Sequence, residues 1–450
     1  MAHPCLKKLK NAQMPCCKTI QGIVAIINIQ PILVFLLCLT GLVLPFSIAA
    51  SNILFAILLL ITILSGGWWQ GAKAAFFAWP WFFYFFAAYF ALMLLGLLWS
   101  YDVAWGIRII PQYWGWLLLP MLVHVFRFDL SRMYFMLALS TGLFLQLLAC
   151  VAQSWGVSLP VGNGSMATDP AGFIGHIGFG LVYGIWAAWL IHWAHLHTGE
   201  RGWRWMAYSV SAISFVMIFI VQGRSGYIEA TCLLLFIVWQ LYLRQLGWRI
   251  LLYLLPMFAL IGVLLSQGNA VSRVNFTIHS LKAFQQGDFS AAEERVSLMY
   301  AAASIWFDHP FLGAGTGSFP VLADALQAEY PELGLHYSAT EEGVAAHPSS
   351  AHNFYLMVLL RWGPLGLFAL LGIFYAWYSR GVKSDWRYQH ASMLSLSAIG
   401  IAVHAMTSLP FEEYYSAIFG VLWCSIGLAG SMACIDTEKN SRWLRNGTTS

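Results

Sequence analysis

The feature that most constrains this chain is a succession of long apolar segments separated by short polar connections. About 20 consecutive apolar residues form a helix long enough to cross a hydrocarbon layer of about 30 Å. Every backbone amide in that layer has to be bonded within its own segment, which favours helices over open strands. We therefore predict an all-α polytopic membrane protein with about twelve transmembrane helices, at residues 29–48, 52–66, 75–99, 104–125, 133–155, 173–195, 205–221, 226–243, 249–266, 352–378, 391–409 and 416–433.

Composition excludes an ordinary soluble domain. Charged residues make up only 9% of the 450 residues, whereas soluble globular proteins contain about 25%. The eight cysteines lie in apolar runs or in the two terminal segments, and no polar loop contains a pair of them. We therefore expect neither a disulfide framework nor a zinc site.

The distribution of basic residues predicts the orientation in the membrane. All but six of the 23 Lys and Arg residues fall on one side of the predicted topology, as the positive-inside rule requires of a cytoplasmic face. This orientation predicts a cytoplasmic basic tail (1–28), nine helices (29–266), a large loop on the outer face (267–351), three helices (352–433) and a cytoplasmic tail (434–450). The six exceptions are Arg108, Arg224, Arg273, Lys282, Arg295 and Arg361.

The 267–351 loop is unusual in its length, because connections longer than about 12–15 residues are generally functional or disordered. Its stretch "AAEERVSLMYAAASIWFDHPFLGAG" predicts an amphipathic helix ended by Pro310 and Gly313. A second stretch, "VNFTIHSLKAFQQG", is expected to lie along the membrane interface. The loop is therefore predicted to be partly helical.

Two of the exceptional arginines are candidates for binding phosphate. Arg224 lies in "VQGRSGYIEA", a turn on the outer face, where a guanidinium beside flexible glycines could hold phosphate oxygens bidentately. The alternative is an arginine that marks a helix end by extending to the interface. Arg295 follows Glu293 and Glu294 at the start of the loop helix, where ordinary surface pairing is the simpler explanation.

His352 stands where the tenth apolar segment begins, in "HNFYLMVLLRWGPLG". Imidazole titrates near neutrality, so it can accept a proton from a hydroxyl at the membrane surface. From spacing alone, an interfacial or helix-capping role is an equally good explanation. His309, His336 and His347 compete with it in the same loop.

Three residues near His352 are candidates for supporting the site. Arg361 is costly inside a membrane, so we expect it to pair with an intramembrane acid such as Glu229. Asn353 directly follows His352, Tyr355 lies three residues after it, and both are candidates for supporting the site.

Several motifs that would indicate other chemistry are absent from the sequence. The stretch "GAGTGS" (313–318) departs from GxGxxG and follows no predicted strand, which excludes dinucleotide binding. The sequence contains no GxxxxGK[ST], HExxH or GxSxG motif. We therefore expect no cofactor, no metal, and no nucleotide or nucleic acid among the partners.

Arg224, Arg295, "DHPFLGAGTGSF" and "HNFYLMVLLRWGPLG" together resemble the O-antigen ligase superfamily, over roughly residues 223–366. The most specific part is the His-Asn pair followed by leucines, Gly363 and Gly366. One position departs from the pattern, because the residue two before Gly363 is often acidic and here is Arg361.

The resemblance implies a metal- and ATP-independent glycosyltransferase in a bacterial inner membrane, with both termini cytoplasmic and a periplasmic active site. His352 would act on an acceptor hydroxyl, while Arg224 and Arg295 would hold the diphosphate of an undecaprenyl-diphosphate-linked glycan. Attack opposite the diphosphate would invert the anomeric configuration. The implied partners are that donor, a lipid A–core acceptor and membrane lipids.

Within the family we predict an O-antigen ligase. An O-antigen polymerase shares the donor chemistry and stays an alternative. Protein O-oligosaccharyltransferases of this type commonly carry an added outer domain, for which residues 435–450 are too short. A non-enzymatic lipid-linked glycan transporter is the alternative from another class, and it predicts ionisable groups along a path through the bilayer.

Overall fold

Helices dominate the described part of the chain. The computed structural model describes residues 30–158, 169–221, 223–243, 294–335, 349–383 and 392–447, and the isolated positions 275, 278, 279, 282, 386 and 390. Its α-helices are, in chain order, α1 (Gln30–Val43), α2 (Ile48–Leu64), α3 (Gly67–Ala78), α4 (Pro80–Leu95), α5 (Val103–Ile109), α6 (Leu118–Phe126), α7 (Asp129–Ser154), α8 (His176–Leu196), α9 (Arg201–Ile220), α10 (Arg224–Val238), α11 (Glu294–Asp308), α12 (Phe319–Glu329), α13 (Phe354–Val382), α14 (Ser392–His404) and α15 (Tyr414–Gly447). Short 3₁₀ turns occupy Ile110–Leu117 and Pro331–Leu333, and a π turn, Trp239–Leu243, follows α10.

The protein is an all-α polytopic membrane protein. Within the described ranges, six helical stretches are long and apolar enough to cross a membrane: Val103–Phe126, Asp129–Ser154, His176–Leu196, Arg201–Ile220, Phe354–Val382 and Tyr414–Met432. Shorter apolar helices are α1, α4, α14 and the stretch Ser225–Leu241. The helix predicted at 249–266 lies outside the described residues, as does most of the expected interfacial stretch at 274–287.

The structure sets the bounds of the second and third predicted helices differently from the sequence. The 52–66 segment belongs to α2, which meets α3 at an angle of 89°. The 75–99 segment contains the end of α3 and all of α4, which starts at Pro80. α3 packs against α6. A Cβ added to Gly71 would lie only 1.9 Å from the carbonyl oxygen of Pro120. This close approach between helices is invisible to hydropathy, so the bend could not be predicted from it.

An aromatic cluster joins α4, α13 and the span that contains α5 and α6. Trp79 stacks on Phe82 at 3.9 Å between ring centroids, and Trp377 of α13 lies 6.2 Å from Phe82. Trp116 lies 6.0 Å from Trp377 and 4.8 Å from Phe411, in the turn between α14 and α15. Such offset and edge-to-face pairs add about 0.5–1.5 kcal/mol each beyond the area they bury. The cluster therefore holds α13 and the α14–α15 turn in fixed relation.

α13 is broken two turns from its start. Trp362 and Gly363 leave the helical conformation, and Gly363 adopts φ +61°, which favours glycine. Pro364 follows and has no N–H to donate back to the preceding turn. The break therefore leaves carbonyls of the first half of α13 without partners inside the helix.

The glycine segment (residues 313–318, "GAGTGS") docks on that break. Ala314 donates its N–H to the Leu360 carbonyl at 2.7 Å, and Gly315 donates to the next carbonyl along the helix at 3.0 Å. The amide and hydroxyl of Thr316 donate to carbonyls at the end of α4, at 3.1 and 2.7 Å. The segment therefore links the end of α4 to the first half of α13 through hydrogen bonds. It follows α11, which ends before Pro310 as the sequence predicts.

Candidate functional site

Several helices begin at one common end of the bundle. In the first turn of α15, Tyr415 donates to a carbonyl just before α8, at 3.4 Å. Phe354 opens α13 and donates its N–H to the carbonyl of Ala405, just after α14, at 2.8 Å. Gly223, just before α10, lies so close to α8 that a Cβ would be 2.5 Å from the carbonyl oxygen of its first residue. We call this end, where α8, α10, α13 and α15 begin, the site end.

His352 lies at the site end in a strained backbone conformation. It is half-buried and precedes α13 by two residues. Its φ of +50° makes it the only non-glycine residue with positive φ in the described part of the chain. A left-handed conformation costs a residue with a Cβ about 1–2 kcal/mol, and such strain is concentrated at functional sites.

Asn353 caps α13, so the capping alternative considered for His352 is wrong. The Asn353 side-chain oxygen accepts the N–H of Leu356 at 3.0 Å, in the usual geometry of a helix N-cap. The cap fixes the backbone directly after His352. The N-cap is therefore the side chain of Asn353, which accepts the N–H of Leu356.

Arg295 is carried to the start of α13 by α11. It is the second residue of α11 and is half-buried. α11 packs against α13, and the side-chain nitrogen of Asn353 lies 3.9 Å from the sulfur of Met299. Met299 follows Arg295 by one helical turn, about 6 Å along the axis. The structure therefore brings the helix of Arg295 to the residue next to His352.

Arg224 is the first residue of α10 and stands at the site end beside the start of α8. α8 begins with His176, whose Nδ1 lies 3.1 Å from Oδ2 of Asp169. The His176 side chain is about half exposed, at 47%. This pair was not predicted from the sequence. The sequence feature that could have identified His176 is the same as for His352, a histidine directly before an apolar run.

Arg361 forms an ion pair, but with a different acid from the one predicted. It is buried in α13, and both of its terminal nitrogens donate hydrogen bonds to the Glu412 carboxylate. Nη1 donates to Oε1, and Nη2 donates to Oε2 at 3.3 Å. Tyr113 donates to Oε1 of Glu412 at 2.9 Å, and its hydroxyl lies 2.8 Å from that of Tyr89. The predicted pairing with Glu229 is wrong because Glu412, in the α14–α15 turn, is folded against α13 by tertiary packing.

Glu229 belongs instead to a second polar group, the Glu–His–Glu cluster (Glu229, His404 and the half-buried Glu413). Nδ1 of His404 lies 2.6 Å from Oε1 of Glu229, and both side chains are fully buried. Nε2 of His404 lies 3.3 Å from Oε2 of Glu413 and 3.0 Å from the hydroxyl of Ser416. Burial raises the pKa of Glu413, but its bonds to His404 and Ser408 outweigh burial and lower the pKa to about 2. The imidazole thus bridges two acids from different parts of the chain.

Tyr355 braces α13 against α14. Its hydroxyl donates to the carbonyl of Ala402 at 2.7 Å, next to the backbone bond between Phe354 and Ala405. Two hydrogen bonds therefore join the first turn of α13 to the end of α14. This contact makes Tyr355 a positioning side chain for the residues around His352.

A family model described as O-antigen ligase matches residues 209–371. This match supports the resemblance of the chain to the O-antigen ligase superfamily. The matched stretch runs from α9 into α13 and contains Arg224, Arg295 and His352. Members of this family are glycosyltransferase-like ligases and polymerases, and the match therefore supports an enzyme of that broad kind. A comparison with curated proteins gives no match.

Proposed function

We propose that this protein is an O-antigen ligase. It transfers a glycan from undecaprenyl diphosphate to a sugar hydroxyl of lipid A–core, at the periplasmic face of a bacterial inner membrane. One observation carries the proposal: Arg224, Arg295 and His352 lie in the stretch that matches the family, and each stands at a helix start. α11 and α13 also pack together beside His352.

His352 acts on the acceptor in this proposal. Its neutral imidazole takes the proton of the acceptor hydroxyl while the hydroxyl oxygen attacks the anomeric carbon of the donor. The bond between that carbon and the diphosphate oxygen breaks, and its electron pair leaves with undecaprenyl diphosphate. Attack opposite the leaving group inverts the anomeric configuration. The imidazolium then releases its proton to water.

Arg224 and Arg295 act on the donor. Guanidinium groups bind phosphate oxygens in charge-assisted, often bidentate hydrogen bonds, and they neutralise charge as the diphosphate leaves. Losing one preorganised donor of this kind typically lowers the rate by about 10²–10³. The lipid diphosphate is already an activated leaving group, so the reaction needs neither ATP nor a metal ion. The start of α10, whose N-cap Gly223 provides no side-chain cap, adds a further preference for an anion through the helix dipole.

The buried charges favour catalysis over transport. A transporter needs ionisable groups along a path through the bilayer. Here the buried charges form two separate pairs close to the site end. Arg361 pairs with Glu412, and Glu229 pairs with His404. The three candidate catalytic residues stand at helix starts and not along the middle of a span.

The test is ligation by purified protein in detergent or nanodiscs. The reaction contains an undecaprenyl-diphosphate-linked glycan and lipid A–core, with EDTA and without nucleotide. We expect glycan attached to core, with loss of about 10² or more in rate for His352→Ala, Arg224→Ala and Arg295→Ala. The matched control is His309→Ala, which removes the histidine that lies 5.7 Å from the Tyr101 ring beside the glycine segment and should retain activity.

The products separate the alternatives. Extension of the lipid-linked glycan without attachment to core would show a polymerase, and attachment to a protein acceptor would show an oligosaccharyltransferase. Full turnover by His352→Ala would remove this residue from the catalytic role. Movement of the donor across proteoliposomes without any product would show a transporter.

A further inference from the structure

We propose that the Glu–His–Glu cluster is a positioning device, which fixes the start of α10, with Arg224, relative to the start of α13, with His352. The proposal rests on the proposed function, because it assigns a role in aligning the donor-binding and acceptor-activating residues. The cluster itself does not touch substrate in this proposal. It acts through the helices that carry the catalytic residues.

The geometry of the cluster suits a structural clamp and not a metal site. Both nitrogens of the His404 imidazole are engaged, Nδ1 by Glu229 and Nε2 by Glu413 and Ser416. No ring nitrogen is therefore left to coordinate an ion. Oxygen Oε1 of Glu413 also accepts hydrogen bonds from the Ser408 hydroxyl and, at 3.2 Å, from the next backbone N–H. The acids from α10 and from the α14–α15 turn are thus tied to one ring.

The cluster is joined to the start of α13 through the end of α14. His404 is the last residue of α14, and the next residue, Ala405, accepts the N–H of Phe354 at 2.8 Å. Tyr355 donates to the same end of α14 at 2.7 Å. A movement of His404 would therefore shift Phe354 and Tyr355, and with them the neighbouring His352.

The cluster is joined to Arg224 through α10. Glu229 follows Arg224 by five residues on this helix, about 7.5 Å along its axis. α10 is seated on α8 by a contact between backbones, since a Cβ on Gly180 would lie 2.3 Å from the Cα of Gly226. Since α10 is held against α8 by this contact, the ion pair between Glu229 and His404 sets the position of α10 relative to α14. The end of α14 is in turn bonded to the start of α13.

Alignment of this kind has a large effect on rate. Reacting groups must meet in a near-attack geometry, and a misplacement of about 1 Å can cost about 10²-fold in rate. A buried charged pair can also specify one arrangement of helices where apolar packing would allow several. Loss of the ion pair should therefore leave both substrates bound and reduce the rate of the chemical step.

The test compares Glu229→Gln and His404→Gln with the wild-type full-length protein in the ligation assay. We expect kcat per folded molecule to fall at least tenfold, while KM for the lipid-linked glycan and for lipid A–core changes less than threefold. The double variant should be no slower than the slower single variant, because both substitutions break the same contact. Ser416→Ala removes a hydroxyl that is bonded to His404 at 3.0 Å and donates to Glu413 at 3.3 Å, but leaves the contact between Glu229 and His404 in place. It should fold and show a fall of about two- to fivefold.

The matched control is His192→Gln. His192 lies on α8 and contacts the start of α14, at the end of that helix opposite to His404. His192 is also a buried imidazole that joins α8 to α14, with Nδ1 2.8 Å from the Ser392 hydroxyl and Nε2 2.8 Å from the Trp386 carbonyl. We expect this variant to lose stability without losing kcat per folded molecule. An equal loss of kcat in His192→Gln, or full kcat in Glu229→Gln and Ser416→Ala, would overturn the positioning role. Wild-type protein that gives no product at all would instead contradict the proposed function.

Discussion

Arg361 and Glu412 form an ion pair inside the helical bundle, although 51 residues separate them in the sequence. The arginine side chain is 1% exposed and the glutamate side chain 8%. Tyr113 donates a further hydrogen bond to the same carboxylate. The pair joins the first half of α13, two turns after His352, to the α14–α15 turn.

Breaking this ion pair should destabilise the protein strongly. Removing one partner of a buried pair leaves a buried charge without compensation and costs about 3–5 kcal/mol. We expect Glu412→Leu and Arg361→Met each to lower the unfolding temperature in detergent, measured by tryptophan fluorescence. The double variant Arg361→Met/Glu412→Leu should be more stable than either single variant, since no isolated charge is left. Strictly additive losses would show that the two side chains do not interact.

The break in α13 should tolerate substitution poorly at Gly363, which packs against the backbone just before the glycine segment. Gly363 has φ +61°, and a Cβ there would lie 2.2 Å from the carbonyl oxygen of Phe311. We expect Gly363→Ala to reduce the yield of monodisperse protein in fluorescence-detected size-exclusion chromatography. Gly156→Ala is the control for backbone strain alone, because Gly156 has φ +90° and, among the residues that the structure describes, no atom lies within 4 Å of an added Cβ. It should cost only about 1–2 kcal/mol. Equal yields for the two variants would mean that the contact with Phe311 is unimportant.

The strain at His352 predicts a separation of stability from activity. Glycine adopts positive φ without the penalty of a Cβ, so His352→Gly should be more stable than His352→Ala by about 1 kcal/mol. Both variants should lack ligation activity, because both remove the imidazole. Unfolding midpoints and the ligation assay on the same preparations check the two statements. An alanine variant as stable as the glycine variant would show that the left-handed conformation is not maintained in the protein.

Glu413 should make stability fall in acid. Its pKa in the folded protein is lowered to about 2, by bonds to His404 and Ser408 that outweigh burial, while the ordinary value is 4.5. A carboxylate with a lowered pKa contributes its full stability above the unfolded-state value and loses it as pH falls through the folded-state value. The contribution of Glu413 should therefore decline between about pH 4.5 and pH 2.

The measurement is the difference in unfolding midpoint between wild type and Glu413→Gln across this pH range. We expect the difference to be largest near neutral pH and to shrink as the pH falls towards 2. Glu329→Gln, at an exposed position on α12, is the control and should show little difference at any pH. A constant difference for Glu413→Gln would contradict the assigned bonds to His404 and Ser408.

The sequence alone determined the class of fold and the residues that match the family. Apolar runs, a local property read over about 20 residues, predict the helical membrane segments, and Pro310 predicts the end of α11. The pattern around Arg224, Arg295 and His352 indicates the superfamily that the family model supports. These signals lie within short stretches, so no knowledge of packing was needed to find them.

Only the tertiary structure decided which of these stretches meet. Arg361 pairs with Glu412 and not with Glu229, α2 bends into α3, and the glycine segment fills the break in α13. Each of these contacts joins residues on separate helices or depends on an approach between two backbones. Hydropathy records how apolar a segment is but not which neighbour it faces, because that choice follows from the packing of all the helices together.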